Sequence, residues 1–165
     1  MQSFSMRDGE DFVYGPDGSR HWGVFGAAGI LVADATLGVL LQKRSDATEH
    51  GGIWSTPGGA LKHLETAVDG AMREAEEECG LSPDDVTIGR VHLFDLGYWH
   101  YSTVVARLKR AFVPRLNWES IEFQWVALDD VDKLDLHPAL RRSWHELKEM
   151  IHEAEANAEV ERPRA

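Results

Sequence analysis

The sequence predicts an α/β fold in which a mixed β-sheet lies between helices, an α/β/α sandwich. Three observations carry this expectation. Residues 24–33 and 38–43 are short aliphatic runs separated by Asp34-Ala35-Thr36-Leu37, the pattern of two strands joined by a turn. Val68, Ala71, Met72, Ala75 and Cys79 recur at helical spacing ahead of Gly80, a helix-ending residue. Residues 86–96 and 98–108 are β-branched and aromatic around Gly97, and Pro138 opens a second helix with Leu140, Trp144, Leu147 and Ile151 on one face.

Taken in order, residues 1–20 are polar and carry the turn signal Gly15-Pro16-Asp17-Gly18, so they are expected to form a flexible arm. One domain then spans 21–155, and 156–165 form a frayed tail. Gln42, Lys43 and Arg44 close the second strand, and Arg44 is placed either to meet a substrate phosphate or to cap a strand facing water. The segment His50-Gly51-Gly52-Ile53-Trp54-Ser55-Thr56-Pro57-Gly58-Gly59 follows, with paired glycines that let a backbone approach a ligand. Residues 121–128 alternate as a further strand, 129–134 form a short turn or helix, and no internal repeat is present.

A chain of 165 residues, 43% hydrophobic and 27% charged, suffices for one domain with a real core. Its net charge of −11 argues against a general nucleic-acid binder, because polyphosphate polymers need a basic surface. A lone cysteine makes no internal disulfide, and the first dozen residues lack the basic and apolar regions of a signal peptide, so the cytoplasm is expected. The longest apolar run is interrupted by glycines and falls short of the ~20 residues that cross a bilayer.

The chemistry concentrates in Glu74, Glu77 and Glu78. At about 100° per residue, the latter two fall within roughly 60° of Glu74 on a helical wheel. A solvated face on an Ala-rich helix is the usual origin of such a run. Here, however, like charges repel at these spacings, and two of the glutamates sit in the last turn, where the helix dipole favours cations. A hard divalent ion, Mg²⁺ or Mn²⁺, resolves the conflict, since it takes oxygen ligands and binds substrate phosphates as well.

Gly59, Glu65, Arg73, Glu74, Ala75, Glu77, Glu78, Gly80 and Leu81 fill the pattern G-x5-E-x7-R-E-U-x-E-E-x-G-U, with U apolar. This resembles the box of the Nudix hydrolases, and a chance match is on the order of 10⁻⁸ per window. The order of elements from Trp22 to Leu147 is also similar to a complete domain of that family. The resemblance implies hydrolysis of a diphosphate linkage in a nucleoside diphosphate joined to another group, with Mg²⁺ (or Mn²⁺) held by Glu74, Glu77, Glu78 and the Gly58 carbonyl. Glu74 is a candidate base. So are Glu119 and Glu122, which lie where relatives place an auxiliary acid. Glu65 and Arg73 are implied supports that tie loop to helix and orient the glutamates.

The partner implied is a small nucleotide diphosphate substrate, with no nucleic-acid polymer and no membrane, and a homodimer is left open. Nucleoside triphosphates and dinucleoside polyphosphates lead the substrates, and Tyr98, 17 residues beyond Leu81, resembles the tyrosine of the dinucleoside enzymes. The absence of proline between Asp84 and Val113 disfavours ADP-sugars. Trp22, Phe25, Tyr98, Trp99 and Tyr101 are candidates to stack on a base, although aromatics are more often core. Two alternatives share the fold: a nucleotide-binding regulatory module without turnover, and an isopentenyl-diphosphate isomerase, for which Cys79 lies on the wrong face.

Overall fold

A computed structural model describes residues 8–161. Strands β3 (Ala27–Asp34) and β4 (Gly38–Arg44) form the expected hairpin, closed where the Asp34 carboxylate accepts from the Thr36 and Leu37 amides. The hairpin does not stay zipped. The strands pair only at Ala33↔Val39 and Asp34↔Gly38, then diverge. Into the wedge comes the glycine-rich segment, as β5 (Trp54–Ser55) on β4 and β6 (Gly58–Ala60) on β3. Gly58 permits this, because a β-carbon there would lie 2.6 Å from the Gly29 Cα.

The sheet is completed by β8 (His100–Leu108), parallel to β3, by β7 (Val86–Asp95) outside β8, and by β9 (Ser120–Val126) on the free side of β4. Its two faces are apolar in alternation, as strands buried on both sides require. Ile30, Val32 and Leu40 pack with Ala71, Ala75 and Cys79 of α1 (Ala67–Cys79). Leu31, Val39 and Leu41 pack with Trp144, Leu147 and Ile151 of α2 (Pro138–Val160). Each helix thus lies on its own face of the sheet, giving the expected sandwich.

Two stretches depart from expectation. Residues 12–20, expected within a flexible arm, join His21 and Trp22 in a hairpin of β1 (Phe12–Tyr14) and β2 (Arg20–Trp22), held by the Trp99 indole donating to the Trp22 carbonyl at 3.1 Å. The turn signal was real, but it closes two strands. Helix α2 runs on to Val160, through residues assigned to a frayed tail, because Met150 and Ile151 anchor it and the alanines and glutamates beyond are strong helix formers. Residues 1–7 of the arm and 162–165 of the tail lie outside the described residues.

Candidate active site

Helix α1 begins at Thr66, whose side chain accepts the Asp69 amide, and ends at Gly80 with φ 77°, the left-handed cap. Between them, Arg73 is the organising residue. Its Nε and Nη2 donate to the two oxygens of Glu65 at 2.9 Å each, Nη2 also donates to the Ala60 carbonyl, and Nη1 donates to Glu74 Oε1 at 2.8 Å. The fork therefore ties the loop ahead of α1, strand β6 and the helix together. Hydrogen bonding from Arg73 holds the Glu65 carboxyl below its usual range. At Glu74 burial outweighs the same guanidinium and pushes the carboxyl up.

Glu78 is 1% exposed. Its Oε2 accepts the Gly58 amide at 2.8 Å, while Oε1 is sealed from solvent with no donor among the described residues. Glu119, on the loop ahead of β9, faces it, and two ionised carboxylates cannot donate to one another. Burial first, then Glu119 and Glu74, push the Glu78 carboxyl far up. Gly59 makes room at the same place, since a β-carbon there would sit 2.6 Å from the Glu74 carboxyl carbon. Glu77 projects outward, 62% exposed, with Arg73 Nη1 at 3.9 Å.

The structure brings Glu74, Glu78, Gly58 and Glu119 together but not Glu122. Glu122 pairs with Lys43, and alternation from Leu41 and Val39 puts both on the α2 face, across the sheet from α1. A β-bulge at Lys43/Arg44 breaks the register, and Glu119 enters from the loop beyond it, where its carbonyl accepts the Ser45 amide. Arg44 Nε donates to the Glu49 carbonyl at 2.9 Å. The Tyr98 hydroxyl lies 3.0 Å from Ser19 Oγ and serves the β1–β2 hairpin. Tyr101 stands nearer the glutamates: its hydroxyl is 3.3 Å from Thr56 Oγ1, and burial, then the charge of Glu78, push it up to about 12.

One contributor escaped the sequence reading. Gln42, 1% exposed, accepts from Ser120 Oγ at 2.9 Å and donates to the Thr56 carbonyl at 3.2 Å, binding the start of β9 to the inserted segment. A lone amide in an aliphatic strand was its only signal. Cys79 is buried, its thiol donates to the Ala75 carbonyl, and burial pushes it up to about 11, which suits packing and not nucleophilic attack.

Among the described residues no three His, Cys, Asp or Glu side chains converge closely enough to hold an ion as they stand. Arg73 draws Glu74 aside and Glu77 faces water. The donor set nevertheless fits a hard cation: all ligating atoms are oxygens, and a buried carboxylate oxygen lacks any positive partner.

A glycine-rich turn and one helix that set Glu74 beside the buried Glu78 suit a hydrolase acting on phosphate anhydrides. Residues 24–153 match the NUDIX domain, and the chain belongs to the Nudix hydrolase family. It is 39% identical over 151 residues to "Putative 8-oxo-dGTP diphosphatase 3" of Mycobacterium tuberculosis, covering 86% of this chain and 70% of that one. It is 37% identical over 145 residues to a nucleoside triphosphate pyrophosphatase/Nudix hydrolase fusion protein of Bifidobacterium longum, covering 82% of this chain and 30% of the fusion. Among solved structures, RenU, a Nudix hydrolase from M. smegmatis, superposes with TM-score 0.77 at 34% identity over 95% of this chain and 100% of that one. A C. elegans Ap4A hydrolase shares the fold, with TM-score 0.64 at 20% identity over 76% of this chain and 98% of that one. The protein is therefore a pyrophosphohydrolase of nucleoside diphosphate derivatives, from a family that generally uses divalent metals and small nucleotide substrates. No helix among the described residues is long and apolar enough to cross a membrane.

Proposed function

We propose that the chain hydrolyses nucleoside triphosphates to the monophosphate and pyrophosphate in a Mg²⁺- or Mn²⁺-dependent reaction, with oxidised purine triphosphates the first candidates. The observation that carries the reading is Glu78 Oε1, a buried oxygen with no donor, facing Glu119 beside Glu74. Glu74, Glu77, Glu78 and the Gly58 carbonyl would hold the ion. When bound it neutralises diphosphate oxygens and acidifies a water. Glu119 takes the proton of the attacking water at its carboxylate, since it stands half-buried on a loop while Glu74 is engaged by Arg73. Arg44 is the residue offered to an outer phosphate. The name of the M. tuberculosis relative supports the choice of triphosphates. Tyr98 no longer favours dinucleoside polyphosphates, because its hydroxyl already serves the hairpin.

The test is a product-resolved screen of nucleoside triphosphates, dinucleoside polyphosphates and ADP-sugars, with Mg²⁺ and with chelator. Pyrophosphate and monophosphate from triphosphates, lost on chelation and restored by Mg²⁺, are expected. Turnover confined to another substrate class, or none at all, overturns the proposal.

A further inference from the structure

Residues 109–119, between β8 and β9, form no regular element, yet Glu119 at their end has to be held against the glutamates of α1 if both are to act on one water. Its main chain is pinned on one side by the residue after β4. The Ser45 amide donates to the Glu119 carbonyl and Ser45 Oγ to the Trp118 carbonyl, each at 2.8 Å. Ser120, the next residue, donates to Gln42 of β4. The other side is closed by Asn117.

Asn117 opens a tight turn, with the Ser120 amide donating to its carbonyl at 3.4 Å and the Glu119 amide to its side-chain Oδ1 at 2.9 Å. The opposite end of the same carboxamide leaves the turn, and Nδ2 donates to the Glu77 carbonyl at 3.4 Å. Beside it the Arg115 amide donates to the Cys79 carbonyl at 2.9 Å. Both carbonyls belong to the last turn of α1, where the helix has no donors of its own for them. A turn alone asks only for an acceptor, which serine or aspartate supplies as well. Asparagine adds the donor without bringing a further negative charge to a helix end already crowded with glutamates. One side chain thereby bridges the backbone of Glu119 and the helix that carries Glu74, Glu77 and Glu78.

We propose that Asn117 is a positioning residue that locks the turn of Glu119 onto the end of α1, so that the Glu119 carboxylate stays opposite Glu78 and the acids of loop and helix move as one body. This inference rests on the reading of Glu119 as the base. A bond that merely capped α1 would affect stability and act independently of Glu119; a positioning bond acts only through it. Misplacing a reacting group by about 1 Å costs up to about a hundredfold in rate, and with the Ser45 and Gln42 bonds still in place the loss of Asn117 is expected to cost about tenfold.

The experiment is a double-mutant cycle of Asn117→Ala and Glu119→Gln, read as kcat and KM on the nucleotide that the wild type turns over. A second cycle, Asn117→Ala with Glu78→Gln, is read by thermal melting in EDTA and needs no turnover: the amide introduced by Glu78→Gln takes Glu119 as its acceptor, a gain that requires Glu119 to be in place. Asn117→Ala is expected to lower kcat about tenfold with KM within about twofold, to change kcat by less than about twofold once Glu119→Gln is present, and to cut the Tm gain of Glu78→Gln by at least half. An unchanged kcat, an equal loss in both Glu119 backgrounds, or an undiminished Tm gain overturns the inference. If Glu119→Gln alone leaves kcat unchanged, the assignment of the base fails, and the melting cycle by itself decides whether Asn117 holds Glu119 in place. Should the alanine variant not fold, Asn117→Ser, which keeps the turn acceptor but does not reach the helix, takes its place, with the same dependence on Glu119 deciding.

Discussion

Replacing Glu78 by glutamine is expected to stabilise the metal-free protein while abolishing its work. In the wild type a 1%-exposed carboxyl has one oxygen without a donor and a second carboxylate, Glu119, opposite. Glutamine keeps an oxygen for the Gly58 amide and turns an NH₂ donor toward Glu119. The relief is the cost of one unsatisfied buried polar atom, about 1 to 3 kcal/mol. For a chain of this size that raises Tm by about 2 to 4 °C per kcal/mol. The effect has a definite pH dependence. The folded-state carboxyl is raised above its ordinary value of 4.5, so the native protein binds that proton more tightly than the unfolded chain. Below pH 4.5 both states are protonated and the wild type carries no penalty; the penalty accumulates as pH rises toward the folded value. Melting Glu78→Gln and wild type in EDTA at several pH values from 5 to 8 should therefore show a gap that widens with pH. Turnover with Mg²⁺ should fall by about a hundredfold in the variant. A variant that melts below wild type throughout refutes the reasoning, because Glu78 would then have a partner.

Glu119→Gln should lower kcat at least tenfold while Glu122→Gln leaves it unchanged, since the two lie on opposite faces of the sheet; steady-state kinetics of the pair decides it. Arg73→Lys retains the charge but not the fork to Glu65, Glu74 and the Ala60 carbonyl, and denaturant melts should show a loss of about 2 to 4 kcal/mol. Gly59→Ala pushes a methyl into the Glu74 carboxylate, so activity should drop with a stability cost of about 1 to 3 kcal/mol, read from melts and turnover together.

The parts legible in the sequence are those whose signals are local. The stripe through Ala71, Ala75 and Cys79, and Gly80 after it, state which face of α1 packs and where the helix stops. The opening of the β3–β4 hairpin was not legible, because it depends on residues 54–60 pairing with strand positions 11 to 33 residues away, and the hydrophobic pattern is the same for a closed hairpin. Glu119 and Glu122 looked equivalent because alternation separates them only after the register of β9 on β4 and the bulge at Lys43/Arg44 are known. Glu78 read as one of three similar acids; only the approach of Gly58 shows it buried while Glu77 stays in water. The edge-on pairing of His50 with His137 was invisible for the same reason, since two distant segments supply one ring each.

The central claim is that these glutamates form a divalent-cation site, and Mn²⁺ binding followed by electron paramagnetic resonance tests it without reference to substrate. Wild type should bind Mn²⁺ in competition with Mg²⁺, more tightly when a non-hydrolysable triphosphate is present, and Glu78→Gln should weaken that binding about 10- to 100-fold. Equal binding by both proteins, or no bound Mn²⁺ in the wild type even with the nucleotide analogue, contradicts the account.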